Sequence, residues 1–263
     1  MILDEQVGKN KLADPIFKYL KNALNLQQRR ALKNMIARIY PWDLDHLALI
    51  YGSDKWGGHY YTPHYHRHFQ HVRHKKLKVL EIGVGGYESP QFGGESLRMW
   101  KRYFPQGMIT AIDIYDKSAL QEDRIRIFQG DQSDEVFLKK VSEEAGPFDI
   151  IIDDGSHINS HMISTFKTFF PLMNEGGIYA IEDTQASYWP KLGGSSEDLN
   201  DPMTALNFFK KLTDALNYQE LMLEDYVPTY FDKNIVAMHF YHNLVFICKG
   251  QNNEPIYPLV GRG

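Results

Sequence analysis

Lys78-Val79-Leu80-Glu81-Ile82-Gly83-Val84-Gly85-Gly86 joins a short apolar run to a glycine-rich turn. The run predicts a strand over 78–82, and the glycines let the backbone turn tightly after it and admit a ligand with no Cβ in the way. The same punctuation recurs downstream. Ile109 to Ile114, Ile125 to Gln129, Asp149 to Asp153 and Gly177 to Ile181 predict four more strands, each separated from the next by a helix-compatible segment. Strands alternating with crossover helices build a doubly wound parallel sheet. After a helical stretch from Ala205 to Leu216 come two further runs, Ile235 to Phe240 and Leu244 to Lys249, whose short connection predicts an antiparallel hairpin. The expected fold is α/β and Rossmann-like: seven strands, mostly parallel, closed by a C-terminal hairpin.

Upstream, Ile16, Phe17, Leu20, Leu24, Leu32, Met35, Ile36 and Ile39 recur at three- and four-residue intervals. They predict two short helices between Asp14 and Tyr40, ended by Pro41. The His-, Tyr- and Gly-rich stretch from Tyr51 to His74 is expected to be loop with some helix. Residues 1–45 are thus an N-terminal helical extension, 46–250 the α/β domain and 251–263 a polar tail.

A net charge of −4 repels polyanions. The densest basic stretch, Arg29, Arg30, Lys33 and Arg38, lies among Leu32, Met35, Ile36 and Ile39 at helical spacing and is expected to be a solvated helix face, so nucleic acid is not an expected partner. No uninterrupted apolar stretch approaches the roughly 18 residues that span a bilayer, so no membrane partner is expected either and the expected setting is the cytoplasm. The single cysteine, Cys248, excludes an internal disulfide and is expected to be inert in a buried strand.

In a doubly wound sheet ligands bind outside the carboxyl ends of the strands. A dinucleotide fingerprint would place a third glycine three residues after Gly85, where this chain has Glu88, so a nicotinamide dinucleotide is disfavoured. Glu81 leading into a looser turn at Gly83 suits instead a cationic sulfonium compound with an amino-acid tail. Asp113, closing the second strand, stands where a carboxylate accepts hydrogen bonds from ribose hydroxyls. Gly130-Asp131-Gln132 follows the third strand and offers a carboxylate and an amide to an adenine, or is an ordinary turn.

Asp153-Asp154-Gly155-Ser156-His157 follows the fourth strand and Glu182-Asp183 the fifth, which brings four carboxylates to one edge of neighbouring strands. Such repulsion calls for a cation, and hard oxygen ligands favour Mg²⁺ or a similar ion with Asp154, Glu182 and Asp183 as its ligands. Glu182 and Asp183 can both turn inward only if the strand has already ended. The alternative is that some of these carboxylates cap a helix. His157, three residues past Asp154, is placed to take a proton from an alcohol that a metal has made more acidic.

An otherwise parallel sheet ending in a hairpin is the plan of class I methyltransferases. Tyr51-Gly52-Ser53-Asp54-Lys55, Glu81-Ile82-Gly83, Gly130-Asp131-Gln132, Asp153 to His157 and Glu182-Asp183 together resemble the metal-dependent sugar O-methyltransferases of macrolide biosynthesis, of the mycinamicin and tylosin type, over about residues 46 to 250. The resemblance implies a small-molecule O-methyltransferase with a hydroxylated natural product, glycoside or polyketide, as acceptor. It implies Mg²⁺ on Asp154, Glu182 and Asp183, His157 as base, and S-adenosylmethionine contacted by Asp113, Asp131 and Gln132 under a segment 51–55 that closes over it. Ser53, Glu81, Gly83, Gly130 and Asp153 complete the expected cofactor pocket, and homo-oligomers are implied. Related sequences often carry a glutamate where this chain has His66.

His59, His64, His66, His68, His71 and His74 match no standard zinc spacing and are expected to pack as an aromatic and histidine segment near the site. Residues 186–202, with Tyr188, Trp189 and then Gly193-Gly194-Ser195-Ser196, are expected to form either a lid or an inert surface loop. Two other functions share these features: a cofactor-binding scaffold without catalysis, and a metal-dependent hydrolase. Binding of S-adenosylmethionine separates the hydrolase from the methyltransferase.

Overall fold

Seven strands share one sheet in the order β3-β2-β1-β4-β5-β7-β6. They are β1 (Lys78–Ile82), β2 (Met108–Asp113), β3 (Ile125–Gln129), β4 (Ile150–Asp153), β5 (Ile178–Ile181), β6 (Ile235–Tyr241) and β7 (Leu244–Lys249). The first five run parallel, and β7 joins β5 antiparallel with β6 at the edge. The computed structural model describes residues 24–254; the first of the two upstream helices expected from the sequence lies outside them.

Alternation along the strands divides the apolar side chains between two cores. Val79, Ala111, Ile152, Ala180 and Phe246 pack under helices α1 (Leu26–Ile36), α2 (Leu44–Tyr51), α3 (Thr62–Phe69) and α4 (Glu95–Tyr103), where Trp100 and Tyr103 are fully buried. Leu80, Ile82, Ile151, Tyr179 and Val245 face α5 (Glu135–Ala145), α6 (Asn159–Leu172), α7 (Ala205–Lys211) and α8 (Tyr230–Asn234). The strand order reverses between β1 and β4, so the carboxyl ends of these two strands open a crevice. Among the described residues no helix is long and apolar enough to cross a membrane.

The stretch 51–74, expected to be loop with some helix, contains the regular helix α3, whereas the helical stretch expected to run from Ala205 to Leu216 ends at Lys211 before a separate 3₁₀ turn, Asp214–Glu220. Cys248 is only partly buried, and that burial pushes its thiol up. On the basic helix α1, Lys33 donates to the Tyr51 carbonyl at 2.6 Å, so at this point the helix is tied to the end of α2.

Two histidines of α3 pack against the hairpin. His64 stacks on Tyr241, and His68 stacks on Phe246 with ring centroids 4.1 Å apart. Burial, helped by the charges of His239, Arg67, His64 and His71, lowers His68 from 6.5 to about 4. A depressed histidine is neutral in the fold and takes up its proton on unfolding, so its contribution to stability is complete above about pH 6.5 and lost as pH falls towards 4. Urea denaturation is expected to show lower stability at about pH 5 than at about pH 7.5, and His68→Phe to narrow that gap. An unchanged gap in the variant assigns the pH dependence to other groups.

Candidate active site

The crevice is built by strand ends. β4 stops at Asp153 and β5 at Ile181, so Glu182 and Asp183 both lie beyond the pleat, as their joint inward turn requires. Asp183 takes a left-handed backbone with φ 53°, and His157 does the same with φ 55°. Such conformations are uncommon outside glycine and concentrate at functional sites.

Asp154, His157 and Asp183 offer ligand atoms that lie within 4.8 Å of one another. His157 Nε2 is 3.9 Å from Asp154 Oδ1 and 3.7 Å from Asp183 Oδ2. Tyr61 donates its hydroxyl to Asp183 Oδ1 at 2.7 Å. Burial raises the Asp183 carboxyl, but that hydrogen bond, with His157 and His59 nearby, outweighs it and holds the group low. His59 Nδ1 stands 3.8 Å from Asp183 Oδ1 and stacks on Tyr61. His66 instead meets the hydroxyl of Tyr103 at 3.0 Å.

Glu182 sits deeper and accepts from Lys55 Nζ at 2.6 Å and from the Tyr65 hydroxyl at 2.5 Å. The same Nζ is 2.6 Å from Asp154 Oδ2 and 3.3 Å from Glu81 Oε1. Burial alone would lower Lys55, but Asp154, Glu182 and Glu81 together raise it well above its ordinary value, and the ammonium stays charged. One ammonium does not balance three carboxylates. Burial, then Asp154, pushes Glu182 well up against the pull of Lys55, and burial likewise raises Glu81.

The expected cofactor residues fall into two groups. Glu81 accepts from Ser96 Oγ at 2.8 Å through Oε2, while its buried Oε1 has no hydrogen-bond donor in good geometry. Gly83 has φ 93°, and a Cβ there would come within 2.1 Å of the Asp154 carbonyl oxygen, so its missing side chain serves the packing of the β4 loop. At Gly85 the corresponding space is open for 4 Å. Asp113 accepts the backbone N–H of Val84 at 2.9 Å, which ties the end of β2 to the glycine turn. Ser53 is buried beside Lys55, and its hydroxyl accepts the Lys55 N–H at 3.4 Å.

The second group braces the loops. Asp131 accepts from the N–H and hydroxyl of Ser133, each at 2.8 Å, and these bonds lower its carboxyl. A Cβ on Gly130 would strike the Phe137 ring. Gln132 donates to Asp153 Oδ1 and Thr165 Oγ1, both at 3.3 Å, and accepts from the Ser156 N–H at 2.6 Å. Asp153 is buried between Gln132 and the Tyr179 hydroxyl, and burial raises it to about 6.

Three contributors carry no signal of their role in the sequence. Lys55 and Tyr65 reach the acidic pair from more than a hundred positions away along the chain, counting to Glu182. Asn159, at the start of α6, fastens the stretch 186–205: its amide donates to the carbonyls of Ala186 and Leu192 at 3.0 and 2.8 Å, and its oxygen accepts from Ser187 Oγ and the Ala205 N–H at 2.9 and 2.7 Å. Tyr188 and Trp189 remain partly exposed on that stretch, at 40% and 52%.

No family model matches the chain. It is 49% identical over 214 residues to mycinamicin VI 2''-O-methyltransferase of Micromonospora griseorubida, covering 81% of this chain and 54% of that protein. With demethylmacrocin O-methyltransferase of Streptomyces fradiae it shares 48% identity over 214 residues, again 81% of this chain and 54% of the relative. Among solved structures, the MycE methyltransferase of the mycinamycin pathway, in complex with Mg, SAH and mycinamycin VI, matches with a TM-score of 0.80 at 48% identity, over 84% of this chain and 57% of that one. The chain thus spans about half the length of the curated relatives it matches.

Proposed function

Over 81% of its length this chain belongs, by sequence and by its Rossmann-like class I methyltransferase fold, to the family of macrolide sugar O-methyltransferases, and from that premise we propose that it methylates a hydroxyl of a small-molecule natural product, a glycoside or polyketide, with S-adenosylmethionine as donor. The observation that carries the proposal is the convergence of Asp154, His157 and Asp183 at the ends of adjacent strands, one lysine away from Glu81.

The residues present fit both groups that this chemistry needs. Glu81 Oε1 is buried, with the Lys55 ammonium 3.3 Å away but no hydrogen bond in good geometry, and its place at the end of β1 suits the ammonium of an amino-acid tail. In this proposal Gly85, Asp113 and the 130–132 turn line the donor pocket together with Ser53, and Gln132 and Asp153 brace its loops. Asp154 and Asp183, which face His157, and Glu182, held by Lys55 and Tyr65, offer hard oxygen ligands, a donor set that suits Mg²⁺.

A divalent cation, when bound, orients the acceptor hydroxyl and raises its acidity. His157 Nε2 takes the hydroxyl proton as the carbon–oxygen bond forms and the carbon–sulfur bond of the donor breaks. Asp154 and Asp183 each lie within 4 Å of that nitrogen, so the base and the proposed ligands share one crevice. In this proposal the stretch fastened by Asn159, which carries Tyr188 and Trp189, serves as the lid expected from the sequence. A homo-oligomeric assembly and a cytoplasmic setting belong to the same proposal.

With labelled S-adenosylmethionine and a panel of glycosides and polyketides, EDTA is expected to abolish methyl transfer and added Mg²⁺ to restore it. Undiminished turnover after exhaustive chelation rejects the metal.

A further inference from the structure

Past the glycine turn the chain makes a loop, 86–93, whose side chains stay out of the core. None from Tyr87 to Phe92 is buried, and Tyr87 and Phe92 are 83% and 69% exposed. Its backbone is demanding all the same. Gly85, Gly86 and Tyr87 in succession have φ of 77°, 77° and 47°, and a left-handed residue such as Tyr87 persists only where its surroundings over-determine it. The bonds inside the loop are long, from the Ser89 N–H to the Gly86 carbonyl at 3.2 Å and from the Phe92 N–H to the Ser89 carbonyl at 3.4 Å. Its neck is tight: the Gly94 N–H reaches the Val84 carbonyl at 2.8 Å, and a Cβ on Gly93 would come within 2.3 Å of the Gly85 carbonyl oxygen. The returning chain therefore lies directly on the glycine turn.

Two side chains from the connection after β2 grip this unit. Asp113 takes the Val84 N–H at 2.9 Å, and Lys117, whose side chain is fully buried, donates its ammonium to the carbonyls of Ser89 at 2.8 Å and Phe92 at 3.2 Å. Among the described residues no carboxylate pairs with that ammonium. A buried ammonium met by neutral carbonyls adds little to the stability of a fold, because its desolvation offsets those bonds. Its effect falls instead on the shape of one loop. In a dinucleotide fold the helix that follows the glycine turn at once fixes that shape, whereas here α4 begins only at Glu95.

We infer that Lys117 is a positioning residue for donor binding: it pins the 86–93 loop in the shape that holds the glycine turn ready, and so sets the affinity for S-adenosylmethionine. The inference rests on the donor pocket proposed above. Without the pin the loop samples other shapes and the donor must select the competent one. If that shape is occupied about a tenth of the time, affinity falls about tenfold.

The test compares wild type, Lys117→Met and Lys117→Gln by calorimetry with S-adenosylhomocysteine, by thermal unfolding, and by amide hydrogen exchange of the ligand-free protein. The expected result in a folded variant is binding at least about tenfold weaker, faster exchange confined to residues 84–94, and a Tm within about 4 °C of wild type or above it. A lysine that merely supports the fold would lower Tm and speed exchange across the sheet, so local loosening with retained stability separates the two roles. Affinity within about threefold of wild type in a folded variant, unchanged exchange over 84–94, or failure of both variants to fold overturns the inference. No binding by the wild type rejects the donor pocket and the inference with it, whereas equal binding by wild type and variants leaves the pocket standing and removes only the role of Lys117.

Discussion

Asp154→Ala is expected to keep binding S-adenosylhomocysteine while losing at least about a thousandfold in kcat, roughly 4 kcal/mol of transition-state stabilisation. The fold should tolerate the change. Asp154 lies just past β4, where its backbone N–H bonds to the Ile82 carbonyl at 3.0 Å whatever the side chain. Lys55 keeps Glu182 and Glu81 as partners, so no buried ammonium is left without compensation. What disappears is the carboxylate that both serves the proposed cation and faces His157, and that loss falls on the reaction step. Asp154→Asn, of the same shape, is expected to fall nearly as far because a neutral amide is a poor ligand for a hard dication. Steady-state kinetics at saturating Mg²⁺, paired with calorimetry, decide the matter. Activity within about tenfold of wild type contradicts the metal role, and lost cofactor binding would show that the side chain belongs to the donor pocket instead.

The sheet was readable because its strands are short apolar runs with sharp ends. Lys78–Ile82, Ile125–Gln129 and Leu244–Lys249 coincide with the expected runs, each bounded by glycine, charge or polar residues. β2 begins one residue earlier than expected, at Met108, whose N–H pairs with the Leu77 carbonyl and adds a rung that hydropathy does not register. Helix α3 was harder to see. It buries Thr62, Tyr65, His68 and Phe69, and side chains that are half polar blur a period of 3.6.

At the site, residue type and strand-end position identified the carboxylates and His157, but not how they divide the work. Nothing local distinguishes Glu182, turned towards Lys55 and Tyr65, from Asp183, turned towards Tyr61 and His157. That split comes from the left-handed backbone at Asp183, which the pattern of apolar residues cannot encode. Lys55 was legible only as part of the segment expected to close over the cofactor. Its partners Asp154 and Glu182 lie 99 and 127 positions away, beyond any spacing rule, and only the folded sheet brings them together. Gln132 shows the converse limit: an amide that sequence position offers to a ligand is engaged by Asp153, Thr165 and Ser156 of the chain itself.

The left-handed backbone also determines how the proposed base must be tested. His157 has φ 55°, and its loop is pinned by the Ser156 N–H on Gln132 and by Ser156 Oγ against His161 Nδ1 at 3.0 Å. Alanine at this position would confront two changes at once, the lost imidazole and a backbone that L-residues other than asparagine and aspartate adopt at a cost of about 1–3 kcal/mol. Relief of that cost would shift Asp154, three residues away, and confuse proton transfer with metal binding. Asparagine accepts the conformation and cannot act as a base, so His157→Asn isolates the chemistry. We expect its kcat to drop by about a hundredfold to ten-thousandfold, with Mn²⁺ affinity and S-adenosylhomocysteine binding close to wild type. His157→Ala should lose comparable activity and also bind Mn²⁺ more weakly. A kcat within about threefold of wild type in His157→Asn assigns the proton to another acceptor, for which His59, 3.8 Å from Asp183 Oδ1, is the candidate. Weakened Mn²⁺ binding in His157→Asn itself would place the imidazole among the ligands, where its Nε2, within 4.8 Å of both Asp154 and Asp183, has the reach to be.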